Sequence, residues 1–454
     1  MTPAARVQAA IELTQAIAES GKSPADRVAA GYFRERRYVG AKDRAGIQGM
    51  VYDVLRGRMQ LDWWLKRGGI VNPSPRLRVL ACLSIVTGWK AEEIAAAFSG
   101  ERHAPDPLTP AEQSTLKRLP GRTLDHPDQP VEVRGNLPPW LKAKFAAALG
   151  DRLAIELAAL NQPASVDLRV NLIKSTRADA QNRLRSEGIE TKPTPLSPLG
   201  LRFAARKPLG QTASFKDGVV EVQDEGSQIV SLLVGAKPGM RAVDFCAGAG
   251  GKALAMAAGM DNKGHVIACD VSKLRLEASA KRLRRAGVHN VERRLLADER
   301  DKWIKRHKRH FDRVLVDAPC TGTGAWRRNP DGRWSLDEKD LDELKPKQAR
   351  ILATAARLVK PGGRLVYATC SLLREENEDQ VAAFLAAEPE FRIVPIDKVW
   401  AETVTALGGP PCPCPPPYLM LTPARNGTDG FFAAVMERMP GAPKSEPHPS
   451  TGSG

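Results

Sequence analysis

The 454 residues contain no uninterrupted apolar run of about 18 residues, the length that a transmembrane helix requires. The N-terminus, Met1 to Ser20, also lacks the apolar core and the small-residue cleavage site of a signal peptide. A cytoplasmic protein without a membrane partner is therefore expected.

Cysteine is scarce, and its spacing is not that of a metal site. The seven cysteines are an odd number and include no C-x-x-C pair. Free thiols in a reducing compartment are expected, with no bound metal. Cys412 and Cys414 lie in the proline-rich stretch 410–417 and are interpreted as loop residues.

Acidic residues are too few to balance the basic ones. The chain has 68 Lys and Arg against 52 Asp and Glu, a net charge of +16, and a pI of about 9.6. Such an excess predicts a polyanionic partner, and nucleic acid is the commonest. A generally basic protein without such a partner is the alternative.

The first part of the chain, residues 1–125, is predicted to be helical. Apolar residues recur at helical spacing between residues 42 and 65, and Thr2-Pro3, Ser23-Pro24 and Thr109-Pro110 are typical of helix starts. The basic side chains of this part face either RNA or solvent: Arg34, Arg36, Arg37, Arg44, Arg56 and Arg58. Residues 103–130 are rich in Pro, Asp and Thr and are interpreted as a linker.

A small α/β unit is predicted over residues 135–218. Val166, Leu168 and Val170 alternate with polar residues at the strand period, and a helix near 178–186 precedes a strand near 201–204. At the other end of the chain, residues 439–454 are rich in Pro, Ser and Gly, which predicts a disordered tail.

Strands and helices alternate over residues 219–438. The strands are predicted at 242–246, 266–269, 313–316 and 364–368, with helices that include 273–286 and 347–358. This alternation predicts a parallel, doubly wound Rossmann-like sheet. Ligands of such sheets bind at the carboxyl ends of the strands.

A glycine-rich turn follows the first of these strands. The strand runs into Ala247-Gly248-Ala249-Gly250-Gly251-Lys252, where backbone can approach a dinucleotide, a phosphate or S-adenosylmethionine closely. Ala253 follows Lys252, so the turn is not a P-loop. Asp270 ends the next strand, where a carboxylate typically accepts the ribose hydroxyls; a helix cap is the alternative role. Asp298, after a further strand, is a candidate for contact with the adenine amino group or a plain loop carboxylate.

Two thiols are predicted to meet above this crevice. Cys320 follows the strand that ends in Asp317, Cys370 follows the neighbouring strand, and adjacent strand ends lie side by side in a doubly wound sheet. Carbon 5 of cytosine is a poor nucleophile, and a thiolate that adds to carbon 6 makes it reactive. A nearby carboxyl group such as Asp317 can share the proton of N3. Either cysteine by itself is more often a small buried apolar residue.

These motifs resemble the RsmB/Nop2/Sun family of RNA 5-methylcytosine methyltransferases. The resemblance rests on segments in the order and spacing of that family: 244–252, 317–324, Lys360-Pro361-Gly362-Gly363, Thr369-Cys370-Ser371 with Glu375-Glu376-Asn377, 222–227, and Asp429-Gly430-Phe431-Phe432. Asp43-Arg44, 51–56 and 61–63 resemble the helical domain of the antitermination factor NusB, which precedes the catalytic part in the bacterial branch.

The resemblance implies a role for each matching residue. Cys370 is the nucleophile, Cys320 assists product release, and Asp317 contacts the cofactor and the target base. S-adenosylmethionine is held by a set of residues from four strand ends: Cys246, Ala247, Gly248, Ala249, Gly250, Gly251, Lys252, Asp270, Asp298 and Asp317. Arg327, Arg328, Arg333 and Trp334 occupy the position of an RNA-facing loop.

The implied activity is cytosine-5 methylation of RNA, with 16S rRNA as the substrate and a monomeric enzyme. The family's usual second Ala and Pro in the cofactor loop are replaced by Gly248 and Ala249, which predicts a looser loop. The alternatives are a tRNA or DNA cytosine methyltransferase, an RNA-binding ribosome assembly factor without catalysis, and, more remotely, an NAD-dependent dehydrogenase. A DNA enzyme would use the thiol of Cys320 as nucleophile.

Overall fold

The first 160 residues are helical. The structure is a computed structural model that describes residues 1–203 and 209–440. Its helices in this part are α1 (Pro3–Glu19), α2 (Ala25–Glu35), α3 (Ala41–Arg56), α4 (Arg58–Arg67), α5 (Pro75–Ile85), α6 (Ala91–Ala97), α7 (Pro110–Leu116), α8 (Val131–Arg134), α9 (Lys142–Leu149) and α10 (Leu153–Leu160). No helix of the described residues is long and apolar enough to span a bilayer.

The helix starts follow the proline signals with one exception. Thr2 Oγ1 accepts a hydrogen bond from Ala5 N at 3.1 Å, and Thr109 caps α7 in the same way. Ser23 does not cap α2, because the extended residue before this helix is Pro24 itself. A proline can therefore stand at the cap position when its fixed φ suits the turn.

The predicted linker 103–130 is instead part of the bundle. It contains α7, and Leu108, Leu116 and Leu119 are buried in the same core as Val54 and Leu61. The linker prediction is wrong because three leucines in this polar segment bury enough apolar surface to hold it on the helices.

A four-stranded antiparallel sheet forms the middle of the chain. Its elements are β1 (Val166–Val170), α11 (Arg177–Ser186), β2 (Thr191–Pro193), β3 (Gly200–Phe203), α12 (Ala213–Lys216) and β4 (Val220–Val222), with strand order β2-β3-β1-β4. The predicted strand near 201–204 corresponds to β3, and Ala204 lies outside the described residues.

The polar face of β1 is buried rather than solvated. Asp167, Arg169 and Asn171 are each 2% exposed or less. Arg169 donates to the carbonyl of Gly251 at 2.9 Å, and Asn171 donates to the carbonyl of Ala286 at 2.8 Å. The alternating pattern thus predicts the strand, while its polar side is the face that joins the small sheet to the larger unit.

The larger unit is a mixed sheet with helices on both faces. Its elements are α13 (Glu225–Leu233), β5 (Arg241–Asp244), α14 (Gly251–Gly259), β6 (His265–Asp270), α15 (Lys273–Ala286), β7 (Val291–Leu295), α16 (Lys302–Arg306), β8 (Phe311–Asp317), α17 (Gly332–Ser335), α18 (Glu338–Ala356), β9 (Val359–Thr369), α19 (Glu378–Ala387), β10 (Phe391–Val394), α20 (Ile396–Thr403), β11 (Leu419–Leu421), α21 (Pro423–Asn426) and β12 (Phe431–Arg438).

The order of the strands confirms the Rossmann-like fold class. The sheet runs β10-β12-β9-β8-β5-β6-β7, and β11 pairs with β12. Strands β5 to β9 are parallel, while β10, β11 and β12 are antiparallel. Two apolar clusters cover the two faces, so the polar groups of this unit concentrate at the carboxyl ends of β5, β6, β8 and β9.

The division of the chain at residues 1–125, 135–218 and 219–438 stays a prediction, and residues 441–454 of the predicted tail lie outside the described residues.

Candidate active site

The glycine-rich turn closes the carboxyl end of β5. Gly248 and Gly250 have φ of +54° and +76°, which glycine adopts without strain. A Cβ at Gly250 would lie 2.9 Å from the Cβ of Ser279 on α15, whereas a Cβ at Gly248 would meet no atom within 4 Å. Gly250 is therefore needed for packing, and Gly248 leaves open space toward the crevice.

A cavity of about 450 Å³ opens beside this turn. It is lined from five strand ends by residues that include Cys246, Ala247, Gly248, Ala249, Asp270, Asp298, Asp317, Cys320 and Cys370. Most of the predicted site residues thus surround one cavity. Gly250, Gly251 and Lys252 come next along the chain, at the start of α14.

Asp270 is held by two backbone donors. Its Oδ2 accepts from Gly248 N at 2.8 Å, and its Oδ1 accepts from Ser272 N at 2.7 Å. Ser272, not Asp270, caps α15. The carboxylate therefore links the glycine-rich turn to the next strand, and its free lone pairs are available to a ribose. Asp298 is exposed at the rim of the cavity, where its Oδ1 accepts from Arg300 N at 2.6 Å.

The site fits S-adenosylmethionine. The open space above Gly248 admits a ligand close to backbone amides, and Asp270 and Asp298 offer carboxylates along the cavity wall. Behind the turn, the buried carboxyl of Asp244 makes no hydrogen bond to a side chain of the described residues. Burial raises the pKa of Asp244 to about 7, the charge of Lys252 opposes that rise, and Asp317 adds to it. This carboxyl is a ready acceptor for an ammonium group.

The two thiols form a pair in the cavity. Cys320 Sγ lies 3.5 Å from Cys370 Sγ, and the backbone of the two loops is joined where Gly324 N donates to the carbonyl of Cys370 at 2.9 Å. The hydrogen bond with Cys370, together with burial, raises the pKa of Cys320 well above its usual range. One of the two sulfur atoms can therefore ionise while the other keeps its proton and donates to it.

Asp317 is paired with a buried lysine. Lys252 Nζ donates to Asp317 Oδ2 at 2.5 Å, and its ammonium lies 5.8 Å from the centre of the Phe431 ring. Burial lowers the pKa of Lys252, but Asp317 and Asp244 outweigh it, so the net pKa is raised. Lys252 therefore stays a cation beside Asp317, a pairing that the sequence did not reveal.

Two motif residues without a predicted role brace the thiol loops. Glu376 and Asn377 are fully buried. Glu376 accepts from Thr321 N at 2.9 Å, beside Cys320, and Asn377 Nδ2 donates to the carbonyl of Ser371 at 2.9 Å, beside Cys370. Their only sequence signal is the charged run Glu375-Glu376-Asn377 five residues after the second thiol.

Arginines of the loop that follows Cys320 are held by contacts within the protein. Arg328 binds Asp224 at 2.7 Å and Asp429 at 2.5 Å, and Arg327 donates to the carbonyls of Gly427 and Thr428 at 3.0 Å. The 222–227 and 429–432 motifs therefore meet around one arginine. The charge of Arg328 is thus matched by two buried carboxylates, and its contact with RNA stays a prediction.

Arg333 is buried, so the RNA-facing interpretation is wrong for this residue. It is 1% exposed and donates to the carbonyls of Gly135 and Leu160 at 3.1 and 2.7 Å. Burial lowers the pKa of its guanidinium to about 9. Trp334 Nε1 donates to the carbonyl of Leu55 at 2.8 Å. This loop therefore joins the helical part, the middle part and the thiol loop.

Some basic residues of the helical part are exposed, and others have partners within the protein. Arg34 and Arg37 are exposed, whereas Arg36 stacks on Tyr32 and pairs with Glu12 at 3.5 Å. Arg56 donates to the carbonyl of Arg327 at 3.0 Å. Arg34 and Arg37 remain the predicted RNA contacts of this group.

The fold and the cavity define an S-adenosylmethionine-dependent methyltransferase. The family described as 16S rRNA methyltransferase RsmB/F matches residues 232–437, and its ferredoxin-like domain matches residues 137–209. The chain belongs to the RsmB/F family of rRNA methyltransferases.

Named relatives agree with this assignment. The chain is 30% identical to ribosomal RNA small subunit methyltransferase B of Yersinia enterocolitica, over 88% of this chain and 92% of the relative. It is 31% identical to the probable ribosomal RNA small subunit methyltransferase B of Bacillus subtilis, over 69% of each chain. The solved structure of PH0851 covers 96% of this chain and 99% of its own, with 27% identity and a TM-score of 0.74.

Proposed function

We propose that this protein methylates carbon 5 of a cytosine in 16S rRNA through a covalent bond between Cys370 and carbon 6. The observation that carries the proposal is the pair of thiols, 3.5 Å apart, in the cavity that also holds Asp317. Methyl transfer to a nitrogen or oxygen needs no thiol. Two thiols beside a paired carboxyl group suit a carbon that has to be activated first.

Cys370 starts the reaction as the thiolate. Its sulfur adds to carbon 6 of the cytosine, while N3 takes up a proton from solvent and donates it in a hydrogen bond to the carboxylate of Asp317. Lys252 stabilises the charge that remains on Asp317, since the two groups are 2.5 Å apart. Carbon 5 thereby becomes an enamine-like nucleophile. S-adenosylmethionine, when bound, supplies an electrophilic methyl group in the adjoining part of the cavity.

Cys320 completes the cycle. Once Cys370 is bonded to carbon its charge is gone, so Cys320 can give its own proton to solvent and act as a base. It takes the proton from carbon 5, the double bond between carbons 5 and 6 forms again, N3 returns its proton to solvent, and Cys370 leaves as the thiolate. Cys320 is then a thiol again, and the starting state of the pair is restored.

The names of the relatives support 16S rRNA as the substrate. The cavity lies below the protein surface, so the target cytosine has to be unpaired or flipped out of a helix. The exposed residues Arg34 and Arg37 add positive charge for backbone contacts.

Nucleoside analysis tests the substrate and the product together. The protein is incubated with labelled S-adenosylmethionine and, in separate reactions, unmodified 16S rRNA and unmodified tRNA. Labelled 5-methylcytidine in the 16S rRNA alone is the expected result. Label in the tRNA alone would contradict the rRNA assignment. Binding of cofactor and RNA without label in either would favour an assembly factor.

A further inference from the structure

Two thiols share one cavity, and the chemistry needs only one of them as the nucleophile. Cys320 and Cys370 are 3.5 Å apart, and both line the cavity. Their place in the cavity therefore does not show which of them is the nucleophile. A difference in the charges around the two thiols can separate their roles, and this inference rests on the proposed function.

The carboxylate of Glu376 lies on the Cys320 side. It accepts from Thr321 N at 2.9 Å, from the Thr321 hydroxyl, and from Gln348 Nε2 at 2.9 Å. Gln348 Nε2 also donates to the carbonyl of Pro319 at 3.0 Å. The residues before and after Cys320 are thus both tied to this one network. Because Glu376 is fully buried, its charge is poorly screened.

The side chain that holds the Cys370 loop is neutral, and a cation lies nearby. Thr369 and Ser371, its two neighbours, are held by the neutral side chain of Asn377. Lys252 lies close enough that a charge on Cys370 raises the pKa of its ammonium. A negative charge is therefore repelled at Cys320 and attracted at Cys370.

We propose that Glu376 is a positioning residue that keeps the shared proton of the thiol pair on Cys320 and so makes Cys370 the nucleophile. The charge of Glu376 is one of the causes that raise the pKa of Cys320, after the hydrogen bond with Cys370, burial and the charge of Cys370. Other titratable groups at or near the pair include Asp317, Lys252, Cys246, Lys347 and the hydroxyl of Tyr367. Asp317 is neutralised by Lys252 at 2.5 Å, and Tyr367 donates to the carbonyl of Glu376 at 2.7 Å.

The hydroxyl of Thr321 has a defined place in this arrangement. It donates to Glu376, which explains why a hydroxyl residue follows Cys320. Glu376→Gln removes the charge but keeps an oxygen that accepts from Thr321 N and Gln348. The variant therefore separates the charge of Glu376 from its role in holding the loop.

Thiol ionisation is measured by alkylation of the full-length protein. Iodoacetamide is added at a series of pH values, and mass spectrometry gives the rate at Cys320 and Cys370 separately. The midpoint of each pH curve reports ionisation and is independent of how accessible the thiol is. Glu375→Gln is the matched control, because Glu375 is the neighbouring acid and pairs with Lys144 at the surface.

In the native protein the midpoint of Cys370 should lie at lower pH than that of Cys320. Glu376→Gln should lower the midpoint of Cys320 by about one pH unit or more, a tenfold gain in thiolate, and Glu375→Gln should leave both midpoints in place. A lower midpoint at Cys320 in the native protein overturns the proposal, as does an unchanged midpoint in Glu376→Gln.

The native titration can overturn the proposal even if Glu376→Gln does not fold. The assay contains no RNA, so it also stands apart from the proposed function. Absence of 5-methylcytidine with the expected midpoints would refute the function alone. Normal 5-methylcytidine formation with the wrong midpoints would refute the role of Glu376 alone.

Discussion

The contact between Gly324 and Gly430 makes the strongest steric demand in the site. A Cβ on Gly324 would lie 2.4 Å from the carbonyl oxygen and 2.7 Å from the Cα of Gly430. Both are backbone atoms, so no side-chain rotation relieves the overlap. Either the backbone of the Cys320 loop or the backbone at Gly430 has to move by about 1 Å to restore ordinary contact.

Such a movement would reach the nucleophile. Gly324 N donates to the carbonyl of Cys370, and Gly430 N donates to the carbonyl of Gly324, each at 2.9 Å. A displacement of about 1 Å costs roughly 100-fold in rate when a reacting group is misplaced. Overpacking of this kind also costs about 1–3 kcal/mol of stability. Gly324→Ala should therefore fold, with a Tm lower by several degrees, and transfer methyl groups about 100-fold more slowly.

Single-turnover methyl transfer to unmodified 16S rRNA measures this effect, with calorimetry for cofactor affinity and Tm. Cofactor affinity should be unchanged, since Gly324 does not line the cavity among the described residues. Gly332→Ala is the matched control on the same loop, because its Cβ would meet Trp326 at an ordinary 3.7 Å. A native transfer rate in Gly324→Ala would refute the tight coupling of the two thiol loops.

Three further predictions concern the cofactor turn, pH and salt. Asp270→Ala removes the acceptor of Gly248 N and Ser272 N, so calorimetry should show affinity for S-adenosylmethionine about 10- to 100-fold lower; native affinity would contradict this role. Burial raises the pKa of Asp244 to about 7, above its ordinary value near 4, so its protonated form stabilises the fold. That stabilisation should fall as pH rises from about 4 to about 7 and stay level above. Urea unfolding of Asp244→Asn, which stays neutral, should lack this part of the pH dependence, and parallel curves for the two proteins would contradict it. RNA binding should weaken steeply between low and moderate salt, because phosphate contacts release counterions; flat binding would count against a phosphate-binding surface.

The sequence was most informative where structure depends on neighbouring residues. The predicted helix 273–286 has the observed bounds, because Ser272 caps its start and Gly287, with φ of +72°, ends it. The glycine-rich turn and the strands beside it are likewise specified by local pattern. The predicted helix 347–358 is wrong at its start, since α18 begins at Glu338 and runs through Pro346. A proline inside a helix is tolerated here because packing outweighs its local cost.

Contacts between distant residues were not predictable. Arg333 is separated from Leu160 by 173 residues, and nothing near Arg333 in the sequence indicates that its guanidinium is buried. The same holds for Arg328, whose partners Asp224 and Asp429 come from two other motifs.

The predicted strand 364–368 was too short for a local reason. Strand β9 starts at Val359 and continues through the glycine turn, with an irregular register against β8.

The covalent adduct at Cys370 is the central claim, and trapping it is the most direct test. Cys320→Ala and Cys370→Ala are each incubated with unmodified 16S rRNA and S-adenosylmethionine and analysed by denaturing electrophoresis. Cys320→Ala should retain the RNA as a protein adduct that withstands denaturation, because its release step is lost. Cys370→Ala should form neither adduct nor 5-methylcytidine. Methylation by Cys370→Ala, or an adduct that forms without Cys370, would contradict the mechanism.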